Sequence, residues 1–327
     1  ELDWTVIYQG QGMIPSDSAK SLRGNFRVWL LPKVFREAIR AINKTPDGQD
    51  WLTDRQLDDL RDQILRQPNR TLLESNEECQ KLLFKAQVDV NEVTGEADPV
   101  VKLIDFANPE RNQFHAINQF RVDTPGCVKK FIIPDIVLFV NGIPRVVVEA
   151  KIGDANTANP MHAAFEQLLR YRNGRKETIQ AGLQEGVPHL FDTNLLLIRT
   201  CGEKAEFGTI TSGHEHFYAW KSIWPEHYQD YTPPLGVERE QEKLIQGLLP
   251  PATLLDVLRT CTVLMDTDDG KRIKVVCRYQ QYRAASKIAE RLREKPLPED
   301  RSGVVWHTQG SGKSLTMVFV GRMLRAA

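Results

Sequence analysis

Several things are scarce in this chain, and each scarcity narrows its function. There are five cysteines, Cys79, Cys127, Cys201, Cys261 and Cys277, an odd number with no pair in CxxC spacing. That argues against a disulfide framework and against a zinc site, and it fits a reducing cytoplasm. No stretch approaches the roughly 18 apolar residues of a membrane span. The opening ELDWTVIYQG lacks the basic start and apolar middle of a secretory leader, and with Glu1 in place of Met it reads as a trimmed or incompletely resolved start. Net charge is also missing, because 43 Lys and Arg balance 43 Asp and Glu. No global basic field advertises nucleic acid, so any DNA contact falls to local patches. Internal repeats and low-complexity tracts are absent.

What remains is globular. The 327 residues, 41% hydrophobic and 26% charged, give room for two domains of roughly 100–200 residues each. Helical periodicity is expected over Pro32 to Asn43, over 53–67 with Thr53 as N-cap, and over 75–87 with Ser75 and Glu78 in capping-box spacing. From Val100 the pattern turns to strands: 114–122, 135–140, 145–152 and the apolar run 193–200, which should be covered on both faces. A helix over 161–172 interrupts them, and 206–223 reads as a strand, a turn and more strand. The Pro-rich segment 224–240 is a candidate linker. Beyond it come a helical stretch broken at Pro250-Pro251, an extended piece running into a helix from Arg272, and a strand, glycine loop and helix from Gly303.

The stretch PDIVLFVNGIPRVVVEAK (134–151) places ionisable groups in an apolar hairpin. Residues two apart on a strand share a face, so Glu149 and Lys151 point the same way. A strict two-residue Asn-Gly turn would pair Asp135 with Val148 and put Glu149 on the other face. A three-residue loop, Asn141-Gly142-Ile143, or a compensating bulge would set Asp135 opposite Glu149, and one of these is expected. Two facing carboxylates repel. They make sense around a hard divalent cation such as Mg²⁺, which takes carboxylate, water and phosphate oxygens. Lys151 beside them can orient or help deprotonate an attacking water, or offset transition-state charge. The competing reading is a solvated strand rim. On the next helix Gln167 and Tyr171 share a face.

The segments INQFRV, PDIVLFVNGIPRVVVEAKI, FEQLLRYR and HLFDTNLLLIRTCGEKAEFGTI resemble the N-terminal nuclease domain of type I restriction enzyme R (motor) subunits, over roughly residues 75–220 and on into the C-terminal segment. The resemblance implies a PD-(D/E)xK-type fold in which the D…E-x-K residues hold Mg²⁺ and cut double-stranded DNA. Asp135 and Glu149 would be the metal ligands, with Lys151 catalytic. Gln167 and Tyr171 would support the site through the DNA backbone. Related nucleases add an acid from the first core helix, for which Glu77 and Glu78 both stand available. Residues 1–74 carry little that matches.

WHTQGSGKSLTMVF (306–319) is more specific. It is expected after a strand, GVVW, and before a helix, the setting of a P-loop. Backbone N–H groups of the loop, from Thr308 onward, and the helix N-terminus form an anion nest. Lys313 would reach the β- and γ-phosphates of ATP and Ser314 would ligand its Mg²⁺, while Gly310 and Gly312 let the backbone approach. His307 stands where the general pattern has Gly or Ala, but the run HTQGSGKS looks like the version in type I motor subunits. RYQQYRAASKI (278–288) is similar to the Q-motif of superfamily 2 helicases, in which a glutamine reads the adenine edge. Gln281 fits best and Gln280 is the neighbouring alternative.

The expected architecture is α/β: an endonuclease domain over 1–235, a mixed sheet flanked by helices, then the truncated start of a RecA-like helicase lobe over 236–327. Ala327 lies thirteen residues past Ser314, so the downstream acidic pair and arginine fingers of a motor do not fit. This chain by itself is expected neither to translocate DNA nor to hydrolyse ATP well, and its P-loop helix is expected to be loosely packed. The resemblance implies partnership with methylation and specificity subunits, the latter reading the target sequence. Two rivals stand beside it: a nuclease–helicase of DNA repair, and a degenerate nuclease fold kept as a docking platform.

Overall fold

The computed structural model describes residues 2–10, 12–67, 70–153, 158–224 and 239–326. Nearly all of the expected linker, and the expected boundary at 235/236, lie outside the described residues. In chain order the elements are β1 (Thr5–Ile7), α1 (Pro32–Ile42), α2 (Asp54–Leu65), α3 (Leu72–Lys85), β2 (Ala86–Gln87), β3 (Val100–Val101), β4 (Phe114–Asn118), β5 (Val122–Asp123), β6 (Phe131–Ile132), β7 (Ile136–Val140), β8 (Ile143–Ala150), α4 (Pro160–Tyr171), α5 (Lys176–Gln180), β9 (Leu196–Cys201), β10 (Lys204–Gly208), α6 (Glu240–Leu248), α7 (Pro251–Thr260), β11 (Thr262–Asp266), β12 (Arg272–Val276), α8 (Tyr279–Glu294) and α9 (Lys313–Arg325).

Local chemistry sets the helix ends. Pro32 opens α1 at a position where its missing N–H costs nothing, and Val34, Phe35, Ala38, Ile39 and Ile42 form its buried stripe. Thr53 caps α2 in a reciprocal box with Gln56. The box expected from Ser75 and Glu78 is instead made one turn earlier by Thr71 and Glu74, so α3 starts at Leu72. Ser75 is a buried residue inside that helix, where its N–H already bonds the Thr71 carbonyl. No helix among the described residues is long and apolar enough to cross a membrane.

The core is a mixed six-stranded sheet, ordered β1-β4-β7-β8-β9-β10. β1–β4 and β8–β9 are parallel and the other pairs antiparallel. β8 and β9 are central and buried along nearly their whole length, as their continuous apolar runs require. Alternation sends Val147, Glu149 and Arg199 to one face, with α4 over it, and Val148, Ile198 and Thr200 to the other. α6 covers that second face: Gln241 Nε2 donates to Thr200 Oγ1 (3.1 Å), and Trp4 Nε1 reaches the Leu249 carbonyl (2.9 Å). Residues expected to begin the motor are therefore packed on the sheet that carries the carboxylates. The β11–β12 hairpin is tied in as well, because the buried Lys274 amine donates to Asn76 Oδ1 (2.8 Å) and the Asn194 carbonyl (2.6 Å). Burial, with Arg145 nearby, holds that amine far below the ordinary lysine range.

Three expected strands differ. The strand over 114–122 breaks after Asn118, where Gln119 takes a left-handed φ of 47°, and pairing resumes at β5 with β6. The further strand after Gly208 reduces to a single bridge between Phe207 and Tyr218. GVVW (303–306) forms no strand: no neighbouring strand pairs with it among the described residues, and Val304 and Trp306 are both about nine-tenths exposed. The expected loose packing of the P-loop helix is not found. α9 buries Phe319, Val320 and Met323 against α8 and α7, and Arg322 donates to the Thr260 and Arg259 carbonyls.

Candidate nuclease centre and phosphate loop

The hairpin resolves the register question through the second of its two expected solutions. Val140 pairs with Ile143, so the turn has two residues, with Asn141 at φ 51° and Gly142 at φ 76°. Both values suit the left-handed turn that matches strand twist. The register then shifts between Leu138 and Phe139, with Arg145 as the extra residue, so that Ile136 pairs with Val148. The bulge places Asp135 opposite Glu149. Arg145 is itself buried and donates to the Thr193 carbonyl, while its own carbonyl accepts from Leu195 N (2.7 Å).

Glu149 is only 2% exposed. One oxygen accepts from the Lys151 ammonium, and the other, Oε2, is buried with no hydrogen-bond partner among the described residues. Burial, then the charge of Asp135, pushes the Glu149 carboxyl up to about 7, against the pull of Lys151. Asp135 is held from both ends: Oδ1 accepts from Gln119 Nε2 (3.1 Å) and Oδ2 from Ala150 N (2.8 Å). Tyr171 is buried, with its phenol driven well above the ordinary range by burial and by Glu149. Its hydroxyl donates to the Ile133 carbonyl (2.8 Å) and accepts from Gln167 Nε2 (3.1 Å). The Gln167–Tyr171 pair thus braces the connection between β6 and β7 two residues before Asp135 and does not present its phenol to solvent.

An orphaned buried carboxylate oxygen beside a second carboxylate is a chemical deficit that a divalent cation would fill. Among the described residues no group of three or more His, Cys, Asp and Glu side chains is arranged to hold a metal. Two carboxylates with the rest of the shell left to water and phosphate suits Mg²⁺. Neither candidate first-helix acid joins the pair: Glu77 binds Arg272 (3.0 Å) and Glu78 pairs with Arg70 (3.3 Å). Sequence reasoning also missed Gln119. Its signal was there, in an amide at a break in strand periodicity inside INQFRV.

The phosphate loop is far more open. Thr308, Gly310, Lys313 and Ser314 are exposed, and Gly310 and Gly312 sit at φ 76° and 77°. Lys313 folds back on the carbonyls of His307 (2.8 Å) and Thr308 (3.3 Å). Gln281 is buried and turned to the loop: its Nε2 donates to the Ser311 and Gly312 carbonyls (3.1 Å each), and its Oε1 accepts from Arg278 N (2.8 Å). A cavity of about 450 Å³ adjoins these groups, lined by Thr209, Tyr218, Lys274, Gln281 and Gly312 among others. Arg278 stacks at 3.9 Å over the Tyr218 ring.

Comparison with known proteins gives two family matches and several relatives. Residues 280–327 match the family described as SWI2/SNF2 ATPase. The endonuclease subunit of the type I restriction enzyme HindI from Haemophilus influenzae is 28% identical over 327 residues, 99% of this chain and 28% of that protein. The MjaIXP endonuclease subunit, assigned to a type I restriction enzyme of Methanocaldococcus jannaschii, is 28% identical over 235 residues, 68% of this chain and 21% of that protein. The chain thus spans less than a third of the length of these relatives. Residues 1–223 match the family described as Type I restriction enzyme R protein N terminus, and the chain belongs to that family.

Proposed function

We propose that this chain carries the DNA-cleaving centre of a type I restriction enzyme, a Mg²⁺-dependent site of the PD-(D/E)xK type, and the first nucleotide-binding loop of its ATP-driven motor. The observation that supports it is the Arg145 bulge, which sets Asp135 opposite a buried Glu149 whose Oε2 is unpartnered. Asp135 and Glu149 would hold the cation. When bound, it supplies a water of lowered pKa and a polarised scissile phosphate. Lys151, bonded to Glu149, keeps its ammonium where negative charge grows as the phosphate is attacked. Gln167 and Tyr171 would fix the connection that leads into Asp135. At the second site Lys313 would leave its two loop carbonyls for the β- and γ-phosphates of ATP, with Ser314 on the accompanying Mg²⁺, and Thr308, Gly310 and Gly312 shaping the anion nest. Gln281, expected to read the adenine edge, has its amide engaged by Arg278 N and the Ser311 and Gly312 carbonyls, so it would turn from the loop to meet the base. In the whole protein the substrate would be double-stranded DNA in the cytoplasm, cut in coordination with translocation and with methylation and specificity subunits. A docking platform would have no use for an unpartnered buried carboxylate oxygen.

Calorimetric titration of the chain with Mn²⁺, paired with DNA cleavage by the intact restriction complex, tests this. Asp135→Asn is expected to abolish Mn²⁺ binding and lower cleavage by about a hundredfold or more. Lys151→Ala should keep the metal and lose cleavage. Equal Mn²⁺ binding by all three chains, or none by any, would sink the nuclease reading.

A further inference from the structure

We propose that Gln119 is the positioning residue of the centre, and that Gln9 of the otherwise unassigned N-terminal segment holds it in place. This inference rests on the nuclease reading of Asp135. Gln119 sits at φ 47°, a conformation that costs a non-glycine residue about 1 kcal/mol. Such strain persists where the surroundings over-determine it, and here they do. The Gln119 N–H donates to the Asp135 carbonyl (2.8 Å), and the Phe120 N–H to the Pro134 carbonyl (3.0 Å). The bend thus stays laddered to the residues entering β7 and swings the Gln119 amide onto Asp135 Oδ1 (3.1 Å).

The N-terminal segment closes the arrangement from outside. Gln9 Nε2 donates to the carbonyls of Asn118 (2.8 Å) and Gln119 (3.2 Å). Gln9 N donates to Asn118 Oδ1 (2.7 Å), and Asn118 Nδ2 returns a bond to the Gly10 carbonyl (2.8 Å). These bonds clamp the peptide on either side of the bend. The consequence lies at Asp135. With Gln119 Nε2 on one oxygen and Ala150 N on the other, the plane of the carboxylate is set, while each oxygen keeps a further lone pair for a cation. Pre-orienting a ligand in this way removes the need to order it when metal arrives.

The alternative is that Gln119 merely completes a bend, and asparagine separates the two. Asn tolerates left-handed φ better than Gln, but it is one methylene shorter and its amide falls away from Asp135. Gln119→Asn is expected to weaken Mn²⁺ binding to the chain by about tenfold, with an unchanged or raised Tm in chelator. Gln119→Gly, which suits the bend still better, should show the same loss, and Gln9→Ala a smaller one. In the intact restriction complex, Gln119→Asn should raise the Mg²⁺ concentration for half-maximal cleavage, with activity recovered at high Mg²⁺. Mn²⁺ affinity of Gln119→Asn and Gln119→Gly within twofold of wild type, beside a wild-type chain whose binding Asp135→Asn abolishes, overturns the positioning role alone. If wild type and Asp135→Asn bind Mn²⁺ alike, the nuclease reading falls and this role falls with it.

Discussion

The carboxylate end of the hairpin and the phosphate loop are both short, glycine-dependent pieces of backbone, yet they are built in opposite ways. Asp135 and Glu149 are set by long-range register: a tight turn, one bulge, and flanking strands on both sides. The phosphate loop is set locally, by two left-handed glycines and the Gln281 amide beneath them, with exposed chain on its upstream side. A site made by register fails when the sheet fails. A site made by a loop can change without disturbing the fold.

Two glycines with almost the same backbone angle expose that contrast. Gly142 and Gly310 both have φ 76°. A Cβ on Gly142 would lie 2.7 Å from both the Leu31 carbonyl oxygen and the Phe35 nitrogen, whereas one on Gly310 meets nothing within 4 Å among the described residues. Gly142→Ala should therefore destabilise the chain by about 3 kcal/mol or more, from strain plus a backbone clash at the start of α1. Gly310→Ala should cost about 1 kcal/mol, from strain alone. Urea unfolding of the two variants measures the difference. Equal losses would mean that the hairpin turn is not the close-packed element described here.

Glu149 provides a pH-dependent version of the same contrast. Its carboxyl stands near 7 in the folded chain, against 4.5 for an ordinary glutamate. The folded state therefore keeps a proton that the unfolded chain gives up. The sign follows: metal-free stability is highest below about 4.5 and falls as pH rises through the window to about 7. The fall is of order 3 kcal/mol at most. Glu149→Gln should remove it, so in chelator the variant should gain on wild type as pH rises from 4.5 to 7. Adding Mn²⁺ at neutral pH should stabilise wild type and leave the variant unmoved. Parallel stability curves from pH 4 to 8 would show that this carboxyl is not perturbed.

How much was legible in the sequence follows the same divide. The mixed sheet, the helices and the D…E-x-K hairpin could be read, because apolar alternation, the Asn-Gly turn and the Asp/Glu/Lys spacing are all local signals. The need for an odd register could be stated as well, from the side-chain period of two. The place of the extra residue could not, because Arg145 in the bulge is fixed by its contacts with Thr193 and Leu195 just before β9. The Ser75–Glu78 box was a false local signal, overridden because Thr71 and Glu74 satisfy the same rule one turn earlier. GVVW reads as a strand by composition, but a strand exists only with a neighbour to pair with. Gln119 stood out only as an amide at a break in strand periodicity, and its role could not be read because its partner, Asp135, lies sixteen residues away across a bend.

Lys313 carries the smallest predicted effect on stability. Its side chain is exposed, and among the described residues its ammonium bonds two carbonyls of its own loop, those of His307 and Thr308. Both carbonyls lie in exposed chain that water can solvate, so no buried acceptor is orphaned when the amine goes. Lys313→Ala should shift unfolding by less than about 0.5 kcal/mol, and Mn²⁺ binding at Asp135 should not move. On the proposed reading of Lys313 as the cation for the β- and γ-phosphates, binding of a fluorescent ATP analogue to the full-length subunit should nonetheless be lost. Trp306, about nine-tenths exposed beside the loop, offers a second readout, through quenching on nucleotide addition in wild type and none in the variant. A destabilisation of several kcal/mol would mean that the loop is welded to the fold as tightly as the carboxylate edge, and the distinction between a register-built and a loop-built site would not hold in this chain.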